Sequence, residues 1–252
     1  MKTQLMVSLL ALALSAAVAA PPLASAADRP HDRRAAYAAL AALPDLDEGV
    51  WNIDWQAPRG APQPKPQLTS EAQAKADAAL RQGLQNRNAN CLPPGMPEVM
   101  GWPYPIQFLY SPGLVTLAIE SDSQVRRIYT DGRGHPADPD PSFNGDSVGH
   151  WDGDALVIDT VALNPTTELA PGVGYSDQAH IVERVRKTGP DVLEIVTTVT
   201  DPKVLTAPWT TTRRFIRHRD WTIQEYVCEQ NNHDSVDAEG RPGFQVEKVP
   251  AS

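Results

Sequence analysis

From residue 106 onward the chain reads as hairpin after hairpin, and this cadence constrains the fold more than any other feature. "GLVTLAIE" and "QVRRIYTD" flank a turn at Ser121–Ser123, and "DSVGHW" and "DALVIDTVAL" flank Asp152-Gly153. Further on, "AHIVERVR" and "VLEIVTTVT" flank "KTGPD", and "TTTRRFIR" and "WTIQEYVCE" flank "HRD". Short runs rich in β-branched and aromatic residues, punctuated by turn residues, are the pattern of antiparallel strands. No crossover helix separates them, so the sheet is expected to be antiparallel. "EGVWNIDW" (48–55) adds a strand ahead of the series. A meander of about nine or ten strands closes more readily than it lies flat, because an open sheet leaves unpaired edges. The expected fold is all-β: a single antiparallel up-and-down β-barrel with a short helical insert after the first strand.

The first 26 residues have a different character. Lys2 precedes the apolar run "LMVSLLALALSAAVAA", and Ala24-Ser25-Ala26 is an A-x-A cleavage site, which together predict a Sec-type signal peptide over 1–26. The expected location is the periplasm or the outside of a bacterial cell, with no membrane insertion after cleavage. Residues 27–47 form an Ala/Arg-rich N-terminal segment. The barrel domain is expected over 48–232, with a Pro-rich and helical insert at 57–105. There, Thr69 or Ser70 is placed to cap a helix running to about Gln85. Residues 233–252 read as a flexible polar tail.

Charge and cysteine content narrow the partners. The chain carries 31 acidic against 22 basic residues, a formal charge of −9, and no basic run interleaved with aromatics. Such a surface repels nucleic acid and anionic lipid. Cys91 and Cys228 are the two cysteines. In an oxidising compartment an isolated pair is expected to form one disulfide.

"GDSVG" (145–149) matches the G-x-S-x-G pattern that presents a nucleophilic serine in many hydrolases. That elbow requires a strand-to-helix turn, so that the hydroxyl stands clear and the helix N-terminus supplies oxyanion donors. Here the next residues are "HWDGDALVIDT", a turn and a strand, so the context argues against a serine hydrolase. With Asp152-Gly153 as the turn, the hairpin instead pairs Asp146 with Asp159 and sets His150 on their face. Two opposed carboxylates require a shared proton or an interposed cation. That face either lines the barrel interior, making Asp146, Asp159 and His150 candidate catalytic groups, or it is solvated outside while Leu156, Ile158 and Trp151 turn inward.

Further candidates flank this hairpin. Tyr129, Asp131, Arg133 and His135 cluster in "YTDGRGHP", a loop suited to orienting a ligand. The last hairpin is expected to place Arg214 opposite Glu225 as an ion pair that could orient the same ligand. His180 and Glu183 lie three apart on a strand and point to opposite faces, so they cannot share a metal. No metal site and no cofactor is implied.

"RIYTDGRGHP", "GDSVGHWDGDALVIDTV", "HIVERVR", "VTDPKVLTAPWT" and "EYVCEQN", in that order, resemble blocks of a family of exported bacterial β-rich proteins without an assigned activity. The resemblance covers about residues 90 to 232 and implies a secreted, single-domain β protein. It supplies no catalytic residues. Gly49-Val50-Trp51, on the first strand, loosely resembles the G-x-W of lipocalin and calycin barrels, where the tryptophan plugs one barrel end. These readings imply a periplasmic barrel that binds a small, mainly apolar or aromatic molecule. The alternative expectation is an acid–base enzyme of lyase, isomerase or hydratase type in the same pocket. A structural envelope protein and a serine hydrolase rank below both.

Overall fold

The computed structural model describes residues 33–54, 63–83 and 91–228, and the backbone of 234–236 and 242–244. The expected signal peptide lies outside the described residues. Nine strands close into a barrel. In chain order they are β1 (Val50–Ile53), β2 (Ile106–Ser111), β3 (Leu114–Ile119), β4 (Gln124–Tyr129), β5 (Asp146–Asp152), β6 (Ala155–Val161), β9 (His180–Gly189), β10 (Val192–Thr200) and β11 (Trp209–His218). Around the barrel they run β1-β11-β10-β9-β6-β5-β4-β3-β2. Two short pairs lie apart, β7 (Glu168–Ala170) with β8 (Val173–Gly174), and β12 (Asp234–Val236) with β13 (Pro242–Phe244). The latter hairpin falls in the stretch read from sequence as a loose tail. The helices are α1 (Arg33–Leu40) and α2 (Ser70–Gln82), the second capped by Thr69, whose hydroxyl accepts from the Ala72 amide.

Alternation decides what is inside. Val115, Leu117 and Ile119 on β3, Leu156 and Ile158 on β6, Ile181 and Val185 on β9, and Leu193 and Ile195 on β10 are all buried. Trp51, Phe108 and Phe215 fill the space between them, so the interior is packed with side chains. The indole of Trp51 donates to the Leu46 carbonyl at 2.8 Å, and the Arg217 guanidinium lies over its ring at 4.5 Å.

The sheet is not wholly antiparallel. β4 and β5 run parallel, and they are paired only at Ile128–Ser147 and Tyr129–Val148. No helix makes this crossover. The chain between them passes through Pro136, Pro139 and Pro141, and this long loop returns it to the same barrel end. Because the pairing is so short, the two strands leave an opening in the wall below it.

The last expected hairpin does not form. β1 occupies the free edge of β11, with Val50 opposite His218 and Ile53 opposite Phe215, and this closes the barrel. No edge remains for "WTIQEYVCE", and residues 221–227 cross the outside as an irregular strap. Gln224 donates its amide to Glu120, Ser123 donates to the Tyr226 carbonyl, and the Tyr226 ring meets Tyr104 edge-on at 5.3 Å. The strap ends in the Cys91–Cys228 disulfide. The expected Arg214–Glu225 pair is therefore corrected: Arg214 lies opposite Glu194 and meets the Asp54 carboxylate at 3.1 Å, while Glu225 sits exposed on the strap.

One ion cluster ties the N-terminal segment to the barrel and sets a pH dependence. Asp45 accepts from Lys187, and its second oxygen accepts from Arg217 at 2.9 Å. Partial burial works against the charged form, but the hydrogen bonds from Lys187 and then Arg217 outweigh it and hold the carboxyl at about 2 rather than 3.8. A depressed carboxylate favours the folded state above the unfolded value and loses that contribution as protonation proceeds. The Asp45 contribution is expected to be complete above pH 3.8 and to vanish as pH falls toward 2. Urea midpoints measured across this window should fall more steeply for the wild type than for Asp45→Asn. Parallel curves would show that the cluster contributes nothing.

Candidate functional site

The "GDSVG" stretch forms the end of β5 next to the opening. Gly145 has φ +67°, and a Cβ there would lie 2.6 Å from both the Thr160 methyl and the Val161 carbonyl. At Gly149 a Cβ would lie 2.8 Å from Ile128. Both glycines are therefore required by the barrel wall rather than by an elbow. Ser147 points inward and is 1% exposed. Its Oγ accepts from Arg126 Nε at 3.1 Å and shares a 3.0 Å hydrogen bond with Thr160. No histidine touches it in the described structure, so nothing is placed to take its proton. Ser147→Ala is expected to cost about 1 kcal/mol of stability. A fluorophosphonate probe should leave the wild-type protein unlabelled, and stoichiometric labelling at Ser147 would reverse this reading.

The hairpin register differs from the expected one by two residues. The loop is Gly153-Asp154, with Asp152 opposite Ala155, Val148 opposite Asp159 and Asp146 opposite Val161. Gly153 takes φ +62°, so glycine leads the two-residue turn instead of ending it. A shift of two leaves every side chain on its expected face. Ser147, Leu156, Ile158 and Thr160 face the interior, and Asp146, His150 and Asp159 face outward. The acids are not directly opposed.

They are joined by a residue from the loop. His135, from the proline-rich segment after β4, lies over the outer face of β5 and β6. Its Nδ1 is 2.5 Å from Asp146 Oδ1, and its Nε2 is 3.1 Å from Asp159 Oδ1. The same Asp159 oxygen lies 2.6 Å from His180 Nε2. Thr160 pairs with Ile181, so His180 opens β9 on the outer face diagonal to Asp159. The result is a continuous chain Asp146–His135–Asp159–His180. His135 and Asp146 are about one-fifth exposed, while Asp159 and His180 are 43% and 40% exposed. Partial burial works against a charge on His135, but hydrogen bonds to Asp146 and Asp159 outweigh it and raise its pKa above the ordinary imidazole value.

Of the other sequence candidates, Tyr129, Asp131 and Arg133 gather beside this chain. Arg133 binds Asp131 through Nε and Nη2, and its guanidinium stacks over Tyr129 at 4.1 Å. His150 is exposed opposite Val157, farther along β5, and takes no part in the chain. From sequence His180 is weighed only against Glu183, on whose opposite face it lies; the pairing of β6 with β9 is what brings it beside Asp159.

Asp146 also borders the opening between β4 and β5. This cleft has a volume of about 400 Å³ and is lined on one side by Gln124, Arg127 and Tyr129 and on the other by Ser142, Asn144 and Asp146. The side-chain oxygens of Gln124 and Asn144 are buried without a hydrogen-bond partner. Its inner wall is Arg126, which is 1% exposed and donates to Glu183 at 2.5 Å and to Thr160 at 2.8 Å. A second cavity, about 290 Å³, lies between Glu98, Tyr175, Trp209 and Arg213. Among the described residues, no group of three or more His, Cys, Asp or Glu side chains is arranged to hold a metal ion.

In comparisons with known proteins, no family model matches the chain and no curated protein does. The functional reading therefore rests on the geometry of this face.

Proposed function

We propose that the chain is an exported, calycin-like barrel that binds a small molecule in the lateral cleft between β4 and the 142–147 segment. The observation that carries this reading is that Gln124 and Asn144 both line the cleft while their side-chain oxygens are buried without a hydrogen-bond partner. Leaving a buried acceptor unsatisfied costs about 1–3 kcal/mol, so a ligand donor gains correspondingly when either amide turns its oxygen into the cleft to meet it. With the Asp146 carboxylate on the same wall, the cleft suits a molecule rich in N–H or O–H groups, such as a polyol, an amine or an amide. Tyr129 supplies an apolar surface for its carbon skeleton. This shifts the expected ligand from mainly apolar toward polar. The Cys91–Cys228 disulfide supports export, because such bonds persist in oxidising compartments.

A second reading, an enzyme of lyase, isomerase or hydratase type, is favoured by one fact. Asp146 borders the cleft and also begins the Asp–His–Asp–His chain, so a bound molecule lies against reactive groups. A thermal-shift screen of polyols, amines and amides tests the binding reading. Hits are expected to lose at least about tenfold in affinity in Asn144→Leu, which removes an acceptor and fills space. Hits that bind this variant unchanged, or a screen without hits, would sink the proposal. Consumption of a hit by the wild type, lost in Asp146→Asn, would establish the enzyme.

A further inference from the structure

Arg213 enters the barrel without a counter-charge in contact with it. It lies on β11 opposite Ile195, in phase with the buried Thr211 and Phe215, so its side chain points inward. Arg126 and Arg217 also point inward, and both are paired: Arg126 with Glu183 at 2.5 Å, and Arg217 with Asp45 at 2.9 Å. Among the described residues, Arg213 has one hydrogen bond, from Nη1 to Thr211 Oγ1 at 3.4 Å, and no carboxylate touches it. Burial works against its charge, and Glu183, Tyr175 and Glu98 oppose that only through space. A guanidinium carries five N–H donors in a planar fork, so most of them remain to be satisfied.

The guanidinium borders the cavity of about 290 Å³ beside β11. The last pair of β1 with β11 is Ile53–Phe215, and past it the short 3-10 helix Glu98–Gly101 packs against Arg213. At Gly101 a Cβ would stand 3.0 Å from both Nε and Nη2, so the missing side chain makes room for the fork. Tyr175, which follows β8, is 4% exposed and lines the same cavity. Its hydroxyl makes no hydrogen bond among the described residues. Burial pushes its pKa above the ordinary tyrosine value, so the hydroxyl stays protonated and able to donate. Tyr175 and Arg213 are close enough to affect each other's ionisation. The Trp209 indole N–H already donates to the Pro64 carbonyl at 2.6 Å, which leaves its ring to form an apolar wall with Leu169 and Pro97.

We infer that this cavity binds a small organic monocarboxylate with an aromatic or compact apolar body. Arg213 takes the carboxylate through its fork, whose planar geometry matches that group. Tyr175 donates to one carboxylate oxygen, and Trp209 and Leu169 hold the body. Glu98 and Glu168 also line the cavity, and their negative charge disfavours a doubly charged anion. The volume is at the small end of ligand pockets, which suits a molecule of about one ring. This cavity shares no lining residue with the cleft between β4 and the 142–147 segment, so the inference stands apart from that reading.

The test is calorimetric titration of the full folded chain with benzoate and phenylacetate, each compared with its neutral amide. At least one carboxylate should bind with a dissociation constant below about 1 mM, and its amide at least about 30-fold more weakly. Arg213→Met should weaken carboxylate binding about 30-fold or more. Arg213→Lys keeps the charge, and with it the balance of the interior, but lacks the fork, and should lose about tenfold even if the methionine variant does not fold. Tyr175→Phe should lose about tenfold as well. Asn144→Leu should bind the carboxylate as the wild type does, so that failure of the cleft and failure of this cavity read out separately. Folded wild type that binds neither carboxylate at millimolar concentration would overturn the inference. Amides that bind as well as the acids, or binding unchanged in Arg213→Lys, would overturn it equally, by removing the fork from recognition.

Discussion

Glu183→Leu is expected to destabilise the barrel by about 3–5 kcal/mol, a large effect for the loss of a single side chain. Glu183 and Arg126 are each 1% exposed inside the barrel, and their contact is 2.5 Å. Removing the carboxylate leaves the Arg126 guanidinium buried with only Ser147, Thr160 and the Met96 sulfur as partners. Arg126 cannot escape by deprotonating, and at 1% exposure its guanidinium is shut off from solvent. The loss also touches Arg213, whose charge Glu183 helps to stabilise against burial. Arg126→Met should be milder, because a lone buried carboxyl can take up a proton. The double variant Arg126→Met/Glu183→Leu should recover most of the stability. A buried ion pair contributes little net once its desolvation is counted, whereas breaking it exposes the full penalty. Urea unfolding of the four proteins checks this. Equal losses in the two single variants that simply add in the double variant would show that the groups act independently.

Removing the disulfide by Cys91→Ala/Cys228→Ala should cost about 4–5 kcal/mol. The bond joins residues 137 apart and encloses eight of the nine barrel strands, leaving out β1. In the chain-entropy picture, a loop of this length removes a large part of the unfolded chain's freedom. The folded state loses something more local. The strap at 221–228 keeps its bonds to Glu120 and Ser123 but is no longer anchored to the segment that carries Met96 and Met100 into the core. Thermal melts with and without reductant, compared with the double variant, measure the effect. A change below about 1 kcal/mol, a quarter of the loop-closure expectation, would mean that the strap already frays in the native state and that its tether does not constrain the barrel.

Several features were legible in the residues because they arise from local rules. The alternation of "LVTLAI" and "VLEIVTTV" predicts strands, and turns such as Ser121–Ser123 predict hairpins, because both depend on neighbours within a few positions. The disulfide follows from having only two cysteines. That no helix follows "GDSVG" was legible as well, since a turn and the strand β6 succeed it directly. Arg126 was a harder case. In "QVRRIYTD" it shares a phase with Ile128, but Val125 in the opposite phase is just as apolar, and it is 52% exposed.

What only the tertiary structure decided involves contacts between distant segments. The residues alone determined a β-rich chain, its approximate strands and its disulfide. They did not determine that β1 would take the edge of β11 and displace the strap, because edge pairing depends on which strand reaches the gap when the barrel closes. They did not determine the parallel β4–β5 contact, because loop 130–145 carries no helix to announce a crossover. His135, Asp159 and His180 meet only because that loop folds back and β9 lies beside β6. The two carboxylates singled out in the hairpin do belong to one cluster, although their link is an imidazole from outside it. Local sequence sets the pleat and therefore the face of each side chain, whereas the order of strands around the barrel sets which faces become neighbours.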